Sequence, residues 1–254
     1  MKALVYTGKK SLDFCEVPDP KLKDDENLIS IRSVGICGSD MHAYLGHDDR
    51  RPAPLILGHE AAGDVIEGPL KGERVTINPL VSCQKCKECK SNRSNLCGKR
   101  QIISMQPREG AFAELVAMPS RNLVKVPDDI SFNDAALTEP LAVCWHAVRL
   151  GLEALDTDIS SANTLVIGGG AIGLGSALSL MAKGIKKIKI AEPNEKRRAF
   201  LQANTWFDVY DPTKGHGDLS FYDIVIDAVG FSSSRSDACA LAKPGSVILH
   251  IGLG

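Results

Sequence analysis

Two short segments carry the residues best suited to chemistry, Gly35-Ile36-Cys37-Gly38-Ser39-Asp40-Met41-His42 and Leu57-Gly58-His59-Glu60-Ala61-Ala62-Gly63. They supply a thiol, imidazoles and carboxylates, the ligand types that zinc accepts. Taken singly, a cysteine is usually a small buried hydrophobe and a histidine a core or surface residue. Taken together, they suit a zinc site with three protein ligands and one position open. Cys37 and His59 offer a thiolate and a neutral imidazole, and Glu60 or Glu139 offers an oxygen. A zinc held this way polarises an alcohol oxygen and lowers its pKa, so that hydride can leave the carbon once the proton has gone. Ser39 is placed to take that proton by hydrogen bond, with His42 as a relay toward solvent. Asp40 suits a carboxylate that accepts the second N–H of a metal-bound imidazole. Ser39 and Asp40 also suit an ordinary turn, and Glu139 beside Pro140 also suits a helix N-terminus.

A second cluster reads Cys83-x2-Cys86-x2-Cys89-x7-Cys97, in a stretch rich in Lys, Ser and Asn with little apolar to pack. Something other than a hydrophobic core must hold it. Four thiolates can close a tetrahedral shell around one structural zinc. An iron–sulfur cluster also takes four thiolates, and a pair of disulfides is the other alternative. Zinc leads, because the chain carries eight cysteines and no export signal. Cys15, Cys144, Cys239, His47, His146, His216 and His250 have no motif partner and read as surface or core residues.

A third signal follows at Thr164-Leu165-Val166-Ile167-Gly168-Gly169-Gly170-Ala171-Ile172-Gly173. It is a buried strand running into Gly-x-Gly-x-x-Gly and then an apolar helix. Gly168, Gly170 and Gly173 allow a tight turn, close approach of a pyrophosphate, and close packing of helix on strand. Ala171 and Ile172 lie at the helix N-terminus, where backbone N–H groups face an anion. Glu192, at the end of the next strand, is placed to bind both ribose hydroxyls and to repel a 2'-phosphate, which favours NAD over NADP. Arg197 and Arg198 pull the other way. Asp227 ends a later strand on the same edge, either as a cofactor contact or as an exposed polar residue closing the strand.

The elements that must position these residues change character along the chain. Short strands are expected at 2–6, 28–34, 61–66, 74–78, 113–118 and 123–126, a β-rich, barrel-like domain. Ser131-Phe132-Asn133-Asp134 opens one helix, and Pro140 starts another that runs to about residue 150. From residue 164 the rhythm is strand, helix, strand, helix, the pattern of a parallel sheet with helices on both faces. The expected domains are 1–150 and 151–254. With 30 basic and 31 acidic residues the chain has no global field for nucleic acid or an anionic membrane. No apolar run approaches the roughly 18 to 20 residues of a membrane span. The N-terminus lacks a signal peptide, so a cytoplasmic protein is expected.

In these residues the chain resembles the zinc-dependent medium-chain dehydrogenase/reductase family. Gly-Ile-Cys-Gly-Ser-Asp, Gly-His-Glu, the four cysteines, Glu139-Pro140-Leu141 and the glycine turn occur in the family's order. The resemblance is greatest to the polyol, threonine and sugar-alcohol dehydrogenase branch. It implies a GroES-like β-barrel catalytic domain followed by a doubly wound Rossmann domain. It further implies a catalytic zinc at Cys37, His59 and Glu60 with Glu139 near the metal, a structural zinc at Cys83, Cys86, Cys89 and Cys97, and a dimer or tetramer. The ethanol-type branch has a cysteine where Glu139 stands. Family members have a longer link where Gly68 to Gly72 stands and continue beyond the strand that ends near Ile251, so the Rossmann domain is expected to be incomplete here.

The reading that follows is an NAD- and zinc-dependent oxidoreductase acting on a secondary hydroxyl of a polyol, sugar derivative or hydroxy amino acid. The alternative is a zinc-stabilised NAD-binding protein without catalysis. A zinc-free quinone reductase needs neither cysteine cluster and is disfavoured.

Overall fold

The computed structural model describes residues 1–215 and 221–253. His216 and Gly254 lie outside them. The chain divides into two compact units, Met1–Glu139 and Pro140–Gly254. The division falls in the first turn of a helix, ahead of the boundary expected at residue 150. The reason lies in that helix's apolar side: Val148 is fully buried within the second unit's core cluster, and Leu152 packs against it.

The first unit is built from antiparallel strands β1 (Lys2–Gly8), β2 (Ser11–Glu16), β3 (Glu26–Gly35), β4 (Leu55–Ile56), β5 (Glu60–Glu67), β6 (Arg74–Ile77), β7 (Leu80–Val81), β8 (Gln101–Ile102), β9 (Leu115–Pro119) and β10 (Leu123–Lys125). Three helices complete it, α1 (Gly38–Tyr44), α2 (Lys87–Lys90) and α3 (Phe132–Ala136). The main sheet runs β10-β6-β5-β3-β9, a second sheet runs β2-β1-β4, and β7 pairs with β8 as a ribbon. Strands β3, β5, β6 and β9 match expected segments because their inward positions alternate; Ile29, Val65, Val75 and Met118 form the core. Strand β2 is not foreseen from sequence: Leu12 and Phe14 alternate with Ser11 and Asp13, but the run is short and all six residues are exposed. Ser131 caps α3 as the sequence predicts, its side chain accepting the Asp134 N–H.

The pairing of β3 with β5 positions the first chemical cluster. Its register sets Gly35 opposite Glu60 and Ile31 opposite Gly63. The chain leaving β3 and the chain entering β5 therefore run side by side, which brings Cys37 to His59. Gly63 is needed for that close pairing, since a Cβ there would sit 2.1 Å from the Ser30 carbonyl oxygen.

The second unit contains α4 (Thr138–Glu153) over most of its length, strands β11 (Asn163–Ile167), β12 (Lys187–Ala191), β13 (Asp208–Tyr210), β14 (Tyr222–Asp227) and β15 (Ala242–His250), and helices α5 (Ala171–Ala182), α6 (Glu195–Asn204) and α7 (Ser232–Leu241). The sheet runs β13-β12-β11-β14-β15, with every pair parallel. Val166, Ile190, Ile224 and Ile226 face one cluster with Ala177, Leu180 and Leu201. Leu165, Ile167 and Val225 face the other, with Ala238 and Leu241. Both faces are covered, which explains why these strands read as continuous apolar runs. The order reverses between β11 and β14, the switch point where such sheets bind ligands.

Replacing Gly63 by alanine is expected to destabilise the first unit by about 1–3 kcal/mol, the usual range for overpacking. A urea unfolding midpoint unchanged from the parent would contradict this account of β3–β5 pairing.

Candidate active site

Cys37 is the N-cap of α1, and its backbone N–H donates to Asp40 Oδ2 at 3.0 Å. Ser39 and Asp40 are therefore buried helix residues rather than members of a free turn. The other Asp40 oxygen, Oδ1, accepts the Gly58 N–H at 3.1 Å. One carboxylate thus ties the cysteine segment to the histidine segment. Gly58 adopts φ +88°, and a Cβ on it would lie 2.6 Å from the Phe112 ring, so both the bend and the space require glycine.

The ligand atoms of Cys37, His59 and Glu60 all lie within 4.8 Å of one another. His59 and Glu60 are each only 8% exposed. Gly35 makes room for them, because a Cβ there would meet Glu60 Oε2 at 2.2 Å. No local sequence signal marks this role; it arises from the β3–β5 register. Burial works against a charged His59 ring, yet Asp40, whose Oδ1 is 3.7 Å from Nδ1, and Cys37 outweigh it and hold the imidazolium up to about 10. Burial also acts on Asp40, but the His59 partner and two N–H bonds keep its carboxyl below the usual range. Burial pushes the Glu60 carboxyl up. Burial raises Glu139 as well, and the charges of His59, Glu60 and Asp40 all act on it. Glu139 therefore belongs to the same electrostatic cluster. A thiol, an imidazole and a carboxylate converging on one point fit zinc.

Ser39 and His42 lie on α1 three residues apart, a spacing that sets them on one side of a helix. The His42 ring is 6.5 Å from that of His47, whose backbone N–H donates to the His42 carbonyl. His47 has no motif partner in sequence because this contact depends on the chain turning back after α1.

The four cysteines of the second cluster also converge, with all four sulfurs within 4.8 Å. Cys86 and Cys89 are separated by 3.5 Å and Cys83 and Cys89 by 4.0 Å. Zinc–sulfur bonds of about 2.3 Å in a tetrahedron space the sulfurs by about 3.8 Å. A disulfide needs about 2.05 Å, and a multi-iron cluster would spread the thiolates apart. Single-zinc geometry fits best. The N–H groups of Lys85 and Cys86 pull the Cys83 thiol down to about 6, toward the thiolate that a metal requires.

In the second unit, Gly168 stands at φ +95° and Gly170 is the N-cap of α5, so Ala171 and Ile172 form its first turn. The Gly173 Cβ position is 1.8 Å from the Gly168 carbonyl oxygen, which only glycine tolerates. Glu192 is buried beside the turn: Oε2 accepts the Gly169 N–H at 2.8 Å and Oε1 accepts that of Asn194 at 2.8 Å. Arg197 Nη1 lies 3.2 Å from Glu192 Oε2. Arg198 is committed to backbone carbonyls and to Asp211 at 3.1 Å. Asp227 is fully buried rather than an exposed strand end. Its Oδ1 accepts the N–H groups of Val229 and Gly230, and its Oδ2 lies 3.3 Å from His250 Nδ1. His250 thereby gains a partner that no motif announces. Cys15 and Cys239 are exposed and Cys144 is buried, in keeping with their lack of motif partners.

Residues 23–128 match the Alcohol dehydrogenase GroES-like domain. Across its whole length the chain is 34% identical to L-galactonate-5-dehydrogenase of Escherichia coli K12 and covers 76% of that protein. Among solved structures, galactitol-1-phosphate dehydrogenase from Escherichia coli superposes with a TM-score of 0.88 at 25% identity, over 99% of this chain and 75% of that one. An alcohol dehydrogenase of Escherichia coli CFT073 complexed with NADH gives 0.87 at 25% identity, over 100% and 77%. The chain belongs to the zinc-dependent medium-chain dehydrogenase family. Its β unit is GroES-like and its parallel-sheet unit is a Rossmann domain, and the family goes with zinc and a nicotinamide cofactor. Among the described residues, no helix of this dehydrogenase is long and apolar enough to cross a membrane.

The raised His59 value gives a pH prediction. Between about pH 7 and pH 9 the metal-free ring holds a proton that zinc must displace, so loading should release it. Apparent zinc affinity should therefore climb with pH toward about 10, by about tenfold per unit for one proton. Chelator-competition titrations at several pH values check this, and a flat profile at the three-ligand site would contradict it.

Proposed function

We propose that this dehydrogenase oxidises a secondary hydroxyl of a polyol or sugar derivative with NAD, using a catalytic zinc at Cys37, His59 and Glu60. The observation that carries the reading is the convergence of those three ligand atoms, from two segments, within 4.8 Å. A relative acting as an L-galactonate-5-dehydrogenase and a structural neighbour acting on galactitol 1-phosphate support a polyhydroxylated substrate. In this reading Cys83, Cys86, Cys89 and Cys97 hold a second, structural zinc.

Zinc supplies Lewis acidity that makes a substrate hydroxyl easier to deprotonate, and the nicotinamide supplies a hydride acceptor. The chain's own residues do the rest. Ser39 accepts the hydroxyl proton, and His42 passes it toward solvent. Glu139, raised by burial, holds or releases a proton beside the ligand set. Gly168, Gly170, Ala171, Ile172 and Gly173 open the helix terminus to the pyrophosphate. Glu192 receives the ribose hydroxyls, and Arg197 lies over it. Asp227 acts from behind the turn by fixing Val229 and Gly230. The preference for NAD rests on the buried Glu192 carboxylate, beside which a 2'-phosphate is repelled. Eight cysteines, five of them in the two metal-ligand sets, suit a reducing, cytoplasmic compartment. Family membership supports a homo-oligomer, dimer or tetramer, if the segment that relatives carry beyond β15 is present.

Purified protein should contain two zincs per chain, and mild chelation should remove the three-ligand zinc first, together with NAD-dependent turnover of a polyol panel. Cys37→Ala should abolish turnover while NAD affinity stays at the parent value. Turnover that survives either treatment would overturn the reading. Glu192→Ser should shift the NADP-to-NAD ratio of kcat/KM upward by about tenfold, equivalent to about 1.4 kcal/mol. An unchanged ratio would remove Glu192 from cofactor selection.

A further inference from the structure

The loop between α1 and β4 is pinned at both ends beside catalytic groups. At its start the His47 N–H donates to the His42 carbonyl, and the two rings stand 6.5 Å apart. At its end Arg51, 5% exposed, donates from Nε to the Ser104 carbonyl at 3.0 Å, and the Ser104 hydroxyl lies 3.4 Å from the His59 ring. Between these anchors stand Asp48 and Arg50. The Asp48 side chain is 6% exposed and accepts Arg51 Nη1 from one side and Arg50 from the other, through Nε at 2.7 Å and Nη2 at 3.0 Å. It also accepts the Arg50 backbone N–H at 3.1 Å. The Arg50 guanidinium holds the Asp48 carboxyl down to about 2, so the clamp stays ionised at neutral pH.

Arg50 is therefore both exposed and held. Its side chain is 63% exposed, yet two bonds along one edge fix its orientation. A guanidinium offers five N–H donors in a rigid plane, and the Nε–Nη2 edge that grips Asp48 is only one of its bidentate edges. The other, made by Nη1 and the second N–H of Nη2, has no partner among the described residues. A free arginine loses rotamer freedom when it binds an anion, whereas this one is already ordered. Two guanidiniums flank one carboxylate, which leaves positive charge in excess at the clamp; Asp49 is exposed and takes no part in it.

We propose that Arg50 is a specificity-determining residue that binds a terminal oxyanion of the substrate, so that the polyol chain this dehydrogenase oxidises carries a carboxylate or a phosphate at one end. The inference rests on the reading of Cys37, His59 and Glu60 as the catalytic zinc ligands and deepens it by naming the substrate class. The planar fork matches carboxylate and phosphate alike. A reacting hydroxyl held at the three-ligand site and an oxyanion on Arg50 fix a flexible chain at two points, which selects one hydroxyl among several that are chemically alike. A neutral polyol offers no such second point. Asp48 sets the direction of the fork, and Arg51 ties Asp48 to the segment beside His59.

Steady-state kinetics of the zinc-loaded full chain with NAD would compare the hexonates, hexitols and hexitol 6-phosphates of the glucose, mannose and galactose series, for the parent, Arg50→Gln and Arg50→Lys. Asp48 keeps Arg51 and the residue-50 N–H in both variants, so both should fold. In the parent an anion on the charged fork should raise kcat/KM over the matching hexitol by about ten- to a hundredfold. Arg50→Gln should lower that anionic-to-neutral ratio by about the same factor, chiefly through KM, and Arg50→Lys, which keeps the charge without the fork, should recover only part of it. Preference for hexonate over hexitol phosphate, or the reverse, identifies which oxyanion the substrate carries. An anionic-to-neutral ratio equal in the parent and Arg50→Gln would overturn the role of Arg50 and leave the zinc dehydrogenase reading standing. Calorimetric titration of the same hexonates and hexitol phosphates into the NAD-loaded parent and Arg50→Gln needs no turnover. If none of the compounds is oxidised, the polyol dehydrogenase reading fails, and the titration decides the anion site by itself: binding weakened about tenfold in Arg50→Gln supports it, and equal binding or none overturns it.

Discussion

The carboxylate of Asp40 is the contact on which the first unit's chemistry depends. It is 3% exposed and accepts N–H groups from Cys37 and Gly58, two points far apart in sequence. A buried carboxylate is costly unless its oxygens are bonded, and these backbone donors meet that requirement while joining the segments. The same group lies 3.7 Å from the His59 ring and keeps it charged when no metal competes. The cluster is thus organised before any cation arrives: one carboxylate sets the helix start at Cys37, the bend at Gly58 and the charge on His59.

The second unit solves a similar problem with backbone geometry. Four glycines in six residues bring the start of α5 against the end of β11, close enough that the Gly173 Cβ position is 1.8 Å from a carbonyl oxygen. Around that turn the acidic side chains act mainly on N–H groups. Glu192 holds Gly169 and Asn194, and Asp227 holds Val229 and Gly230. A turn stiffened in this way presents its helix N-terminus to an anion with little left to reorganise, which is the advantage of a preorganised site.

Much of this is legible in the chain. Cysteine spacing exposes the four-thiolate cluster, because four regularly placed thiols in a polar stretch without core residues have little to do except hold a metal. Alternation marks strands β3, β5 and β9, and the change of rhythm at residue 164 marks the parallel sheet. Strand β2 offers only the short alternation of Leu12 and Phe14 with polar neighbours, and both stay exposed. The helix α1 is hidden because Gly38, Ser39 and Asp40 are turn-forming types, and only the capping contact between Asp40 and the Cys37 backbone makes them helical. The domain boundary moves because the apolar side of α4 finds its core in the second unit, a preference that no local property of residues 138–153 records.

The sequence by itself determined the kinds of chemistry available: thiols, imidazole and carboxylates at metal-ligand spacing, and a glycine turn between a strand and a helix. These are local statements, since ligand type and backbone freedom belong to individual residues. Only the tertiary structure decided which oxygen serves which partner. Asp40 suits the orientation of His59 on sequence alone, and the fold gives the same carboxylate a second task, accepting the Cys37 and Gly58 N–H groups. Asp227, expected as a cofactor contact or an exposed strand end, is fully buried. His47 and His250 acquire neighbours. Each of these outcomes depends on distances between segments remote in sequence, and strand register and burial set those distances.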